Sequence, residues 1–234
     1  MTIIRVDVDT QVGFSDPEGK LFVPAGEAVL ANIRALVADA VAEGHPLIGS
    51  VDSHAYDAWE FQENGGPFPA HCLKGTADWL KPEGTLPERF RFVPMSEGSL
   101  VIGENQAGSG NRRYDIDLFV SEALDGVGLY FEKEVYSAFA NPNAEALIEG
   151  LVDRLQGPDG VEFQVFGYCT GGFCVDEFCL GLIQRGYRVS LILDATAAID
   201  TPDNNLDGLK HSAEILAAAG VTIINTATAL ESAA

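Results

Sequence analysis

Hydrophobic positions along the chain switch repeatedly between two periods. Residues 3 to 9, "IIRVDVD", alternate with period two and predict a strand, while residues 26 to 44, "GEAVLANIRALVADAVAEG", place apolar side chains at intervals of three and four and predict a helix stopped by Gly44. "PLIGSVDSH" (46 to 54) and "GLYFEKE" (128 to 134) read as further strands, and "NPNAEALIEGLVDRLQ" (141 to 156) as a helix capped by Asn141 with Pro142 in its first turn. The C-terminal part is more regular. Strands are predicted at 162 to 168, 188 to 195 and 221 to 227, with helices at 174 to 186 and 206 to 220 between them.

Six strands separated by helices predict an α/β fold, a three-layer α/β/α sandwich around a six-stranded, mainly parallel sheet. Right-handed crossovers then collect the strand C-termini along one edge, where chemistry is expected. The whole chain, 1–234, reads as a single domain with an irregular insertion around 73–128 that includes "ENQAGSGNRRYDID". A connection of that length predicts a role, as a lid, a subdomain or a contact in a homo-oligomer.

Charge narrows the partners. Fourteen Lys and Arg against 35 Asp and Glu give a formal net charge of -21, which repels polyanions. Neither nucleic acid nor an anionic membrane is expected as a partner, and a small-molecule substrate is. No apolar run reaches the roughly 18 to 20 residues needed to cross a bilayer, and the start "MTIIRVDVDT" enters a strand at once instead of forming a basic and apolar leader. A cytoplasmic protein is therefore expected, with its four cysteines buried, metal-bound or reactive in preference to paired.

Three of those cysteines fall in "GYCTGGFCVDEFC", residues 167 to 179. Their spacing of five suits neither paired zinc ligands nor a C-x-x-C redox centre. A strand, a glycine turn and a helix starting at Cys174 have the logic of a nucleophile elbow, in which the helix N-terminus lowers the thiol pKa and free N–H groups face an oxyanion. Cys179, about 140° around the helix from Cys174, reads as a small core residue. Asp9 ends the first strand, as a catalytic base or as a turn cap. Asp52 and His54 lie two apart at the end of the second strand, and His71 follows on a Pro-stiffened loop. One carboxylate and two imidazoles suit a divalent metal ion, zinc, iron or manganese, with Glu60 as an additional or supporting ligand; a turn Asp beside a surface His is the alternative. Lys133 makes a surface ion pair, or holds two anions if Asp9 and Cys174 converge on it.

Assembled in order, these segments resemble the isochorismatase-like cysteine hydrolase family and, within it, the nicotinamidases. "VDVDTQVGF" resembles the family's first-strand motif, "DSHAYDAWEF" and "GGPFPAHCLKGT" its metal segments, "KEVYSAF" its lysine block, and "GYCTGGFCV" with "GYRVSLILDA" its elbow and next strand. The resemblance implies a six-stranded isochorismatase-like fold, Asp9, Lys133 and Cys174 as the catalytic triad, and Asp52, His54 and His71 as ligands to one metal ion, zinc foremost. It also implies hydrolysis of nicotinamide to nicotinate and ammonia through a cysteine thioester, as in NAD salvage; another small carbamoyl or maleamate-type amide is the alternative, and a non-catalytic scaffold a third. Phe14, Phe68, Tyr136 and Thr170 are expected around a flat substrate ring. The elbow holds one residue more than the family pattern, which leaves the oxyanion donors unassigned.

Overall fold

A computed structural model describes residues 1–96, 100–102 and 112–231. The first part of the chain forms β1 (Thr2–Val8), α1 (Val12–Ser15), α2 (Gly26–Glu43), β2 (Leu47–Asp52), β3 (Phe90–Val93), β4 (Leu100–Ile102), β5 (Arg112–Tyr114) and α3 (Ile116–Leu124). It continues through β6 (Gly128–Lys133), α4 (Ala144–Leu155), β7 (Val161–Thr170), α5 (Cys174–Gln184), β8 (Arg188–Ala198), α6 (Gly208–Ala218), β9 (Thr222–Ile224) and α7 (Thr226–Glu231).

Seven strands, all parallel, form one sheet in the order β3-β6-β2-β1-β7-β8-β9, and β4 and β5 pair separately as an antiparallel ribbon. From β1 the chain winds one way through β2 and the other way through β7, β8 and β9. With right-handed crossovers this places α2 on one face and α3 to α6 on the other. The observed contacts agree: α2 packs on β1, β8 and α7, while α5 packs on β7, β8 and α6, and α3 on α4 and β6. The switch of direction lies between β1 and β7, where the C-terminal ends of parallel strands leave a crevice.

The expected sandwich is present with one strand more. β3 lies in the stretch read as irregular; four residues at a sheet edge carry too short a pattern to be distinguished from a loop. The remainder of the expected insertion is α3, the ribbon and the segment 73 to 89; residues 104 to 111 of the Gly-rich tract lie outside the described residues. Asn141 does not cap α4. The helix starts at Ala144, and the Asn141 side chain instead donates to the carbonyls of Val93 (3.0 Å) and Glu132 (2.9 Å), fastening the ends of β3 and β6, while its Oδ1 accepts from the Asn143 N–H. The last strand is only three residues long, because Asp194 Oδ1 accepts from Thr226 N (2.7 Å) and Oγ1 (2.8 Å) and starts α7 there.

β1 is buried on both faces, so each polar side chain of "RVDVD" needs a partner. Arg5 bonds Gln164, Asp39 and the Ala229 carbonyl, and Asp7 faces Lys81 Nζ at 2.9 Å and accepts from Thr10. Lys81 thereby pins segment 73 to 89 across the end of β1, reinforced by Val12 N–H to Leu80 O (2.8 Å) and Gly13 N–H to Asp78 O (2.9 Å).

Candidate active site

Four adjacent strands deliver polar side chains to one edge. Asp9 immediately follows β1, Asp52 ends β2, Lys133 ends β6 directly beside Asp52 in register, and Thr170 ends β7. Cys174 opens α5 after a turn in which Gly171 and Gly172 have φ of 101° and 97°. A Cβ on Gly171 would lie 2.7 Å from the Ile199 carbonyl, so both space and backbone angle require glycine there.

Lys133 is the hub. Its fully buried Nζ lies 2.8 Å from Asp9 Oδ2 and 3.3 Å from Cys174 Sγ, and it donates to Asp52 Oδ1. Ser50 Oγ donates to the other Asp9 oxygen at 2.8 Å, and Asp9 itself sits at φ 45°, an angle uncommon for a residue with a side chain. Burial pulls the Lys133 pKa down, but Asp52, Asp9 and Cys174 outweigh it and hold the pKa well above the ordinary value. Burial raises Asp9, with Lys133 opposing, and so makes it a stronger base than a surface carboxylate.

The thiol departs from expectation. A helix N-terminus predicts a lowered pKa, yet burial pushes Cys174 well above the usual thiol value; Lys133 opposes this, and Asp9 and Asp52 add to it. A thiol raised in this way rests protonated at neutral pH, and carboxylate oxygens of Asp9 and Asp52 lie within 4.8 Å of its Sγ.

Two isolated bridges assemble the neighbouring group. His54 pairs with Leu73, through His54 N–H to Cys72 O (3.2 Å) and Lys74 N–H to His54 O (3.0 Å), which brings His71 alongside. Phe61 pairs with Phe68 in the same way and turns Glu60 inward. One ligand-capable atom from each of Asp52, His54, Glu60 and His71 then falls within a 4.8 Å group, all four residues buried. His54 Nε2 is 2.6 Å from Glu60 Oε1 and 3.9 Å from Asp52 Oδ2, and His71 Nε2 is 3.7 Å from Glu60 Oε1.

This group fits a divalent cation. His71 Nδ1 lies 2.8 Å from the Pro69 carbonyl, which can only accept, so the proton is on Nδ1 and Nε2 presents its lone pair to the cluster. Burial alone would hold His54 down, but its hydrogen bond with Glu60 and the Asp52 and Glu60 charges leave its pKa raised. Asp52 divides its oxygens, Oδ1 toward Lys133 and Oδ2 toward His54, and so joins the two groups. Gln11 holds Asp52 in place, accepting its N–H (2.8 Å) and donating to its carbonyl (2.9 Å).

A narrow cavity lined by Phe14, Phe68, Tyr136, Phe173, Cys169 and Ile199 opens onto both Cys174 and the Asp52, Glu60 and His71 side chains. Of the four residues expected around a substrate ring, Phe14, Phe68 and Tyr136 line this cavity, whereas Thr170 lies outside its lining, fully buried beneath the elbow with its hydroxyl donating to Asp176. Alternation along β7 did not foretell this, because the acceptor comes from the following helix. Phe173, not singled out in the sequence, packs edge-on against Phe68 (5.7 Å) and Tyr136 (5.4 Å), and its place next to Cys174 was the signal available. Burial, followed by the Glu60 charge, pushes the Tyr136 hydroxyl up to about 12. Cys179 is a buried core residue, as expected, and all four cysteines are free.

No protein-family model and no curated protein matches the sequence. Solved structures do. An L. infantum protein in complex with nicotinate is 22% identical with a TM-score of 0.63, covering 97% of this chain and 93% of its own. Pyrazinamidase of Pyrococcus horikoshii, in complex with zinc, is 22% identical with a TM-score of 0.60 (96% and 99% covered), and N-carbamoylsarcosine amidase from Thermoplasma acidophilum 19% with 0.60 (97% and 97%). An isochorismatase family protein from Desulfovibrio vulgaris superposes equally fully, at 18% identity and a TM-score of 0.64 (99% and 97%). The chain has the isochorismatase-like hydrolase fold.

Proposed function

We propose that this protein is a metal-assisted cysteine amidohydrolase that converts nicotinamide and water to nicotinate and ammonia. The observation that carries the reading is that one aromatic cavity meets both the Asp9, Lys133, Cys174 constellation and the buried Asp52, His54, Glu60, His71 cluster. The nicotinate and zinc in the two structural relatives agree with it.

Asp9 takes the thiol proton as Cys174 Sγ attacks the amide carbonyl, and Lys133 compensates the negative charge as it passes from Asp9 to the attacking sulfur. N–H groups of the elbow face the oxyanion of the tetrahedral intermediate. The proton returns from Asp9 to the leaving nitrogen, ammonia departs, and a thioester remains. Asp9 then takes a proton from the water that attacks this thioester and gives it to the leaving thiolate, restoring the thiol, and the acid released ionises in solution to the carboxylate. Asp52, His54, Glu60 and His71 would hold a divalent ion, which when bound would supply a Lewis-acid anchor for a heteroaromatic nitrogen.

Charge favours a neutral substrate. No lysine or arginine is among the described cavity-lining residues, so the carboxylate of a carbamoyl amino acid or a maleamate-type amide would find no side-chain cation there to receive it. Lys133 is fully engaged beneath. Nicotinamide brings an uncharged ring that aromatic walls accept. The test is ammonia release from nicotinamide by purified protein before and after chelation, with Cys174→Ala as control. Release that vanishes in the variant and drops on chelation is expected; none from metal-replete protein would refute the reading.

A further inference from the structure

We propose that Asp176 is a positioning residue that selects which backbone N–H groups of the elbow serve the oxyanion, a role that rests on Cys174 acting through a tetrahedral intermediate. Asp176 lies in the first turn of α5, 4% exposed, with no cation among its partners in the described residues. It is satisfied entirely by donors from around the elbow. Thr170 Oγ1 (2.5 Å) and Gly171 N–H (3.1 Å) donate to Oδ2, and Ser212 Oγ on α6 donates to Oδ1 (2.5 Å).

The rest of the turn is fastened to match. Gly171 N–H is shared with Ser212 Oγ (2.8 Å), Gly171 O accepts from Asn204 Nδ2 (3.1 Å), and Thr170 O accepts from Ile199 N (3.0 Å). An acceptor that occupies Gly171 N–H removes it from the oxyanion set and leaves Gly172, Phe173 and Cys174 to supply the donors. It also fixes the twist at which they leave the turn. Two glycines at positive φ could otherwise rotate freely, and preorganised donors are what make such a hole effective.

The test separates oxyanion stabilisation from thiol reactivity. Acylation of Cys174 by p-nitrophenyl acetate forms the S–C bond through an oxyanion, expels p-nitrophenolate and passes the thiol proton to Asp9, whereas alkylation by iodoacetamide forms an S–C bond by displacing iodide, with the thiol proton lost to the same base and no oxyanion. Asp176→Ala is expected to lower the acylation rate at least tenfold while the alkylation rate stays within about twofold. Asp176→Asn, whose Oδ1 can still accept from Thr170 Oγ1 and Gly171 N–H while its Nδ2 donates to Ser212 Oγ, should stay within about threefold on both. If Asp176→Ala does not fold, the double variant Thr170→Val with Ser212→Ala should show the same selective loss. Equal loss in both reactions, or loss in neither, overturns the role. Because the ester is independent of the natural amide, wild-type acylation without nicotinamide turnover would count against the proposed function alone.

Discussion

Lys133 holds three partners, and removing any of them changes what the others can do. With no lysine, two buried carboxylates face each other uncompensated, a defect that typically costs about 3–5 kcal/mol. Lys133→Met should therefore lower the melting temperature as well as abolish turnover, measurable by calorimetry beside an ammonia assay; loss of turnover at wild-type stability would mean that the charges are relieved in another way. Cys174 gives a pH prediction with a definite sign. Burial holds its pKa well above the ordinary thiol value, so the thiolate is scarce at neutral pH and grows as pH rises. Alkylation by iodoacetamide should still be accelerating past pH 9, and a plateau below pH 7 would contradict the buried, carboxylate-flanked thiol described above.

At the scale of elements, the sheet edge works because strands approach closely at the switch point. Gly167 on β7 has φ 129°, and a Cβ there would sit 2.0 Å from the Val8 carbonyl, forcing β7 away from β1 just before Asp9. Gly167→Ala should destabilise by more than about 3 kcal/mol and reduce activity in the surviving folded fraction, since strain and lost pairing add. Gly44 offers the contrast. It ends α2 at φ 71° with nothing near its Cβ position, so Gly44→Ala should cost only about 1 kcal/mol and leave turnover unchanged. Urea unfolding curves of the two variants, compared with wild type, check both expectations.

For the whole molecule, charge and metal dominate. A formal charge of -21 makes the folded state repel itself, and salt screens that repulsion over about 10 Å at 0.1 M. The melting temperature should rise between 50 and 500 mM NaCl (roughly threefold shorter screening length). A fall would show that buried pairs such as Arg5 with Asp39 are more exposed to salt than their burial indicates. A divalent ion held by the Asp52, His54, Glu60, His71 cluster would add stability by mass action, so on the proposed reading chelation should lower the melting temperature and His71→Ala should remove most of the bound metal by elemental analysis. Metal retained in full by that variant would place the ion elsewhere.

Much of this was legible in order along the chain. Period-two and period-3.6 patterns determined the strands and helices of the C-terminal part, and the positions of Asp9, Asp52, Lys133 and Cys174 at element ends follow from those patterns because side-chain direction is local. Only the tertiary structure decided what depends on residues distant in sequence. β3 exists because β6 offers it a partner; Asn141 serves two strand ends instead of its own helix; Thr170 turns to Asp176 and away from the cavity; and the Cys174 thiol is raised by burial and by carboxylates from two other strands. Patterning encodes which face of an element is apolar, whereas the charge state of a buried group and the target of a buried hydrogen bond are set by whatever else the fold brings within a few ångströms.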